Sequence, residues 1–191
     1  LKIVGLLLAA GSASRFGSDK LRHALPHGVQ IAVQSARHLK SQVDVFAVVR
    51  PGSEEISQAL KDEGCQVVIC DNAAEGMGAS LACAVRASEG ADAWLVALAD
   101  MPFVRPSSIA AVRAALEGGA TLVAPFFRAR RGHPVGIAAK YRQDLLSLAG
   151  DEGAKALLSR HGGDLLKIPV GDPGVIRDID RPEDLAPPLR V

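Results

Sequence analysis

Two cations in a loop of small residues, and carboxylates at the ends of apolar runs, are the side chains of this sequence best suited to chemistry. The cations are Arg15 and Lys20, in Gly11-Ser12-Ala13-Ser14-Arg15-Phe16-Gly17-Ser18-Asp19-Lys20. The apolar run 3–10, ending in Ala9-Ala10, delivers that loop. A buried strand feeding a cation-bearing loop suits phosphate groups. Gly11 and Gly17 allow backbone amides to approach a ligand closely. Arg15 can fork onto phosphate oxygens, and Lys20 can act as a mobile point charge. The loop is not G-x-G-x-x-G, and Lys20 lacks the glycine before it and the Ser/Thr after it that a P-loop requires. The alternative is a surface loop with two solvated cations.

Asp100 emerges from Leu95-Val96-Ala97-Leu98-Ala99-Asp100-Met101-Pro102, where an apolar strand ends. In open α/β sheets ligands bind at that carboxyl edge. A carboxylate there suits Mg²⁺, which takes one or two protein carboxylates plus phosphate oxygens and water. A turn in which the aspartate caps backbone amides is the competing reading. Glu75-Gly76-Met77-Gly78-Ala79-Ser80-Leu81 opens a helix, so Gly76, Gly78 and Ser80 face either a ligand or an ordinary helix cap. In Arg131-Gly132-His133-Pro134, His133 could donate to an anion or simply be exposed. In Asp178-Ile179-Asp180 the two carboxylates share a side if the segment is extended, because strands repeat every two residues. Either could join Asp100 at a metal, or the acidic run could favour a helix N-terminus.

These residues need strands and helices to position them. Apolar β-rich runs recur at residues 2–9, 43–49, 66–70, 93–98 and 121–126. Helix patterns lie between them at 30–40, 53–63, 79–87 and 106–117, with Pro106 suited to a first turn and Gly118-Gly119 to a stop. This alternation predicts an α/β fold with a mostly parallel central sheet and helices on both faces. After Phe126 the pattern changes. Residues 128–132 read as a basic turn and 134–138 as a short strand. Helices follow at 141–148 and 154–161, late strands at 165–170 and 175–179, and a short helix at most in the tail. No repeat or long linker divides the chain, so residues 1–191 read as a single domain.

The bulk properties exclude several classes. Formal net charge is +1, which argues against nucleic acid and against a charged membrane surface. No apolar run approaches the ~20 residues of a membrane span. Three cysteines, Cys65, Cys70 and Cys83, lack metal spacing and suit buried thiols in a reducing compartment, so a cytoplasmic location is expected.

The order of the motifs is more specific than any one of them. Leu8-Ala9-Ala10-Gly11-x-x-x-Arg15-Phe16-Gly17-x-x-Lys20-Leu21 is followed by Gly76-Met77-Gly78-x-Ser80-Leu81 and Leu98-Ala99-Asp100-Met101-Pro102. Gly132-His133-Pro134 and Asp178-Ile179-Asp180-x-Pro182-Glu183-Asp184 complete the series. This set strongly resembles the molybdenum cofactor cytidylyltransferases, and more broadly the Rossmann-like nucleotidyltransferases, including the guanylyltransferase of the same pathway. The resemblance implies one three-layer Rossmann-like domain that moves a nucleoside monophosphate from a triphosphate to a phosphorylated acceptor, releasing pyrophosphate. In the nearest branch the substrates are CTP and molybdopterin cofactor, with the recipient molybdoenzyme or its chaperone as a further partner. It implies that Arg15 and Lys20 hold the triphosphate, Asp100 and Asp180 bind Mg²⁺, and Ala9, Ala10, Gly11, Gly76, Gly78 and Ser80 shape the nucleotide pocket. Arg15, Lys20 and Asp100 would form the catalytic set, and His133 would lie nearer the acceptor. Ala10-Gly11, where the guanylyl branch has two glycines, favours cytidine; Asp19-Lys20 is common in the guanylyl branch. Phe16 replaces a usual methionine, and Gln30-Ile31 departs from the family's usual helix entry. Guanylyl transfer, or transfer to a sugar phosphate, are the alternative activities.

Overall fold

The computed structural model describes residues 1–11 and 20–187, so Arg15 and the rest of residues 12–19 lie outside the described residues. Four runs of apolar β-formers become parallel strands: Ile3–Leu8 (β1), Asp44–Val49 (β2), Gln66–Ile69 (β3) and Ala93–Leu98 (β4). Their spatial order is β3-β2-β1-β4. Beyond β4 the sheet continues with Val135–Ala138 (β7), which is antiparallel to both β4 and Leu122–Phe127 (β5). Arg130–Arg131 (β6) forms a hairpin with β5, and Leu165–Pro169 (β8) pairs with β5 in parallel. The expected basic turn is the tip of that hairpin. Arg128 and Ala129 both take positive φ there, 46° and 63°, the backbone twist that matches tightly turned strands.

Ile31–Lys40 (α1), Glu54–Asp62 (α2) and Pro106–Glu117 (α4) cover one face. Met77–Ala87 (α3), Arg142–Leu146 (α5) and Gly153–Arg160 (α6) cover the other. The strand period of two sorts the core between them: Leu7 points into the first cluster with Leu39, Leu60 and Val112, while Leu6 and Leu8 point into the second with Leu81, Leu145 and Leu157. Burial on both faces is why β1 and β4 read as unbroken apolar runs. The three-layer, mostly parallel architecture expected from the sequence is therefore present. Cys65 and Cys70 are buried, which pushes both thiols up to about 11, and all three cysteines are free. Among the described residues no helix is long and apolar enough to cross a membrane.

One expected element is absent. Residues 175–179 do not form a strand; Pro173–Ile176 is a 3-10 turn and residues 177–180 follow it without a ladder. The cause is Asp172, whose buried carboxylate accepts hydrogen bonds from the amides of Gly174 and Arg105 and from Ser108 Oγ, at 2.9, 2.9 and 2.7 Å. Those contacts curl the chain at Pro173-Gly174. Single backbone bonds, His133 N to Val175 O and Ile179 N to Asp100 O, then replace a ladder.

Strand order reverses between β1 and β4, with β2 and β3 on one side of β1 and β4 on the other. A crevice forms outside the carboxyl ends of the strands at such a reversal. Gly11, beyond the end of β1, and Asp100, beyond the end of β4, both lie at that edge.

Candidate active site

Lys20 stands at the mouth of this crevice. It opens the 3-10 turn Lys20–Arg22, which is pinned to the core by the buried Leu21. Its Nζ lies 2.9 Å from Asp100 Oδ2 and 3.2 Å from Asp180 Oδ1. Burial works against the ammonium charge, but the two carboxylates outweigh it and raise the Lys20 pKa above its ordinary value. The lysine is thus charged across the working pH range.

Asp100 is held from two directions through its backbone. Ser35 Oγ, buried in α1, donates to the Ala99 carbonyl at 2.8 Å. The Ile179 amide donates to the Asp100 carbonyl at 2.9 Å. Ile179 is itself fully buried, so its neighbours Asp178 and Asp180 face outward on the same side. Asp184 then fixes the following turn, accepting from the amides of Asp180 and Arg181 at 3.1 and 2.9 Å.

The outcome is a cluster in which Asp100, Asp178 and Asp180 each offer an oxygen within 4.8 Å of the others. Asp178 joins the two carboxylates named for a metal. Its burial, followed by the nearby charges of Asp100 and Asp180, pushes its pKa up. Three hard oxygen donors around one point, with Lys20 offsetting their charge among the described residues, suit a small divalent cation.

The cleft beside this cluster has a volume of about 650 Å³. Ala10, Gly11, Lys20, Gly76, Ser80 and Asp100 line it, bringing most of the expected site residues together. Ser80 Oγ donates to the Gly76 carbonyl at 3.3 Å. Ala9 is buried in the core on the opposite face from Ala10, one residue along the same chain. The Gly78 amide is engaged with the Gly150 carbonyl at 2.7 Å, so its hydrogen bond goes to the protein. His133 lies off the cleft, walling a small void with Ser35 and His38. Burial pushes its pKa down to about 4, against a 3.4 Å contact with the Val96 carbonyl, so the ring is neutral near pH 7.

The cleft also contains residues that the motif reading passed over. Arg50 and Pro51 follow β2, Asp71 closely follows β3, and Asp151 precedes α6. Position was the available signal for the first three, since the carboxyl ends of all parallel strands meet at one edge. Asp151 had none, because a turn between two helices gives no hint of facing a strand edge.

The family model of the MobA-like NTP transferase domain matches residues 5–165. No curated protein sequence matches the chain. Among solved structures, the rv0371c homologue from Mycobacterium sp. strain JC1 has a TM-score of 0.82 at 25% identity, covering 96% of this chain and 94% of that one. A nucleotidyl transferase from Methanothermobacter thermautotroptrophicus has a TM-score of 0.80 at 25% identity, with the same 96% and 94% coverage. The molybdopterin-guanine dinucleotide biosynthesis protein A from Archaeoglobus fulgidus has a TM-score of 0.69 at 17% identity, covering 95% of this chain and 94% of that one.

Proposed function

This chain belongs to the MobA-like NTP transferase family, and from that premise we propose that it transfers CMP from CTP to the terminal phosphate of molybdopterin cofactor, releasing pyrophosphate. The observation that carries the chemistry is Lys20 set against Asp100 and Asp180 at the edge of a nucleotide-sized cleft. For the base, support comes from Ala10, whose methyl group takes up cleft wall that a second glycine would leave open.

The terminal phosphate of the acceptor has a second pKa of about 6 and is largely ionised near neutral pH. It needs no dedicated base. Its oxygen attacks the α-phosphorus of CTP, and the bond from that phosphorus to the bridging oxygen breaks, so pyrophosphate leaves with the electron pair. The obstacle is repulsion between two polyanions. Lys20, with Arg15 as the second cation that the sequence resemblance implies, would place positive charge on the triphosphate and on the negative charge that builds in the transition state. Asp100 and Asp180, with Asp178 beside them, would hold Mg²⁺, which neutralises phosphate charge and orients the reacting groups. His133, which lies off the nucleotide cleft, would meet the acceptor as a neutral hydrogen-bonding group. The whole chain acts as one nucleotidyltransferase domain in this reading, and its free cysteines accord with a cytoplasmic setting.

Pyrophosphate release from CTP or GTP, measured with molybdopterin cofactor and Mg²⁺, tests the proposal. Release with CTP supports it. A preference for GTP moves the protein to guanylyl transfer, and release only with a sugar phosphate replaces the acceptor.

A further inference from the structure

Besides Asp100, two acidic residues line the cleft: Asp71, at the expected strand edge, and Asp151, which arrives from a place the reaction chemistry does not account for. The turn 149–153, which leads into α6, lies against the first turn of α3 at unusually short range. The Gly78 amide bonds the Gly150 carbonyl at 2.7 Å. A Cβ at Gly78 would lie 2.7 Å from the Ala149 carbonyl oxygen, and one at Gly76 would lie 2.5 Å from the Gly150 carbonyl. Gly76 also has φ +128°, a backbone that side chains resist. Both glycines are therefore required by the docking of this turn.

What the docking delivers is Asp151. Its Oδ1 lies so close to Gly76 that any side chain there would displace it, and the residue lines the cleft. It belongs neither to the Asp100-Asp178-Asp180 cluster nor to the partners of Lys20. Asp151 is solvent-exposed, and its carboxylate has no hydrogen-bond or ion-pair partner among the described residues, so it is free to meet a bound molecule. A carboxylate can only accept hydrogen bonds, and a triphosphate offers it only negative oxygens. The partner it suits is a neutral donor on the rest of a nucleotide.

We propose that Asp151 is a specificity-determining residue that accepts a hydrogen bond from the nucleoside, through a ribose hydroxyl or an exocyclic amine, and that Gly76 and Gly78 exist to seat it there. This rests on the nucleotidyltransferase reading of the cleft.

The test is binding of CTP, dCTP, UTP and inorganic triphosphate in the presence of Mg²⁺, by titration calorimetry, to the wild type and to Asp151→Asn. Loss of a hydrogen bond to a charged acceptor weakens CTP binding by about tenfold or more. A loss that vanishes with dCTP assigns the 2′-hydroxyl, one that vanishes with UTP assigns the amine, and an equal loss with all three nucleotides assigns the 3′-hydroxyl. Inorganic triphosphate should bind the variant as well or better, since a negative charge has gone. Gly78→Ala, checked by circular dichroism for a native fold, should weaken CTP in the same pattern and leave Mn²⁺ binding in place. A wild type that binds CTP while Asp151→Asn binds it equally or more tightly overturns the inference alone. So does a loss that extends to inorganic triphosphate. A wild type that binds no nucleotide overturns the proposed function and this inference together.

Discussion

From residue 3 to residue 117 each strand hands over to a helix, and the parallel ladder extends without interruption. From residue 122 onward the chain turns back on itself in a hairpin, inserts an antiparallel strand beside β4, and ends in 3-10 turns. Both regions end at the same edge of the sheet. The first brings Gly11 and Asp100 there by periodic packing, with many apolar contacts sharing the task. The second brings Asp178 and Asp180 through a few polar contacts: Asp172 with its three donors, Asp184 on two amides, and one backbone bond from Ile179 to Asp100. Packing that is spread over many residues tolerates small losses, whereas a buried carboxylate with three donors does not. The site should therefore be robust on one side and brittle on the other.

The largest effect is expected at the point where the two regions meet. Asp100→Asn should lower turnover by a hundredfold or more and weaken Mn²⁺ binding measured by electron paramagnetic resonance. Unchanged turnover in a folded variant would remove Asp100 from the metal site. Next comes a matched pair. Asp172→Ala leaves buried donors unsatisfied and should cost about 3 kcal/mol in urea unfolding, with weaker Mn²⁺ binding as the 173–180 segment loosens. Ile56→Val, in the buried face of α2, should cost about 1 kcal/mol and leave Mn²⁺ binding untouched. Equal effects on metal binding would erase the contrast between the regions.

His133, two residues before β7, gives a smaller, pH-dependent effect. Its folded pKa of about 4 lies below the ordinary value of 6.5, so the folded state resists protonation. Stability relative to His133→Gln is full above pH 6.5 and declines as pH falls toward 4, by on the order of 2 kcal/mol. Paired urea titrations across that range check it; a constant difference would contradict the neutral, half-buried ring. The smallest effect is on the metal affinity at Lys20, which bridges a carboxylate from each region. Lys20→Met should tighten Mn²⁺ binding about threefold in the absence of nucleotide, by removing a charge 2.9 Å from Asp100, while weakening CTP.

How much of this was legible in the sequence follows the same division. The four parallel strands and first four helices were readable to within two residues or so, because burial on alternating faces imposes a pattern on every residue of an element. The expected strand at 175–179 failed because a single buried side chain, Asp172, overrode local β propensity, and no periodicity records such a contact. The sequence marked Lys20 as a loop cation and Asp100 and Asp180 as carboxylates at the ends of apolar runs, and the fold brings these three side chains into contact. The sequence left Asp178 and Asp180 as alternatives; burial of Ile179 sets both beside Asp100. Ala9 and Ala10 looked equivalent in the sequence, yet strand alternation sends only Ala10 to the cleft. Gly76 and Gly78 looked like ligand-facing glycines; the structure shows them pressed against residues 149–151, a contact between segments some 70 residues apart that the spacing of neither reveals.

The central claim is a choice of nucleotide and acceptor. Its most direct test is a competition in which the protein receives molybdopterin cofactor, Mg²⁺ and equimolar CTP and GTP, with the dinucleotide products separated and weighed by mass spectrometry. The cytosine dinucleotide should dominate. Predominance of the guanine dinucleotide, or no dinucleotide from either, would contradict the account.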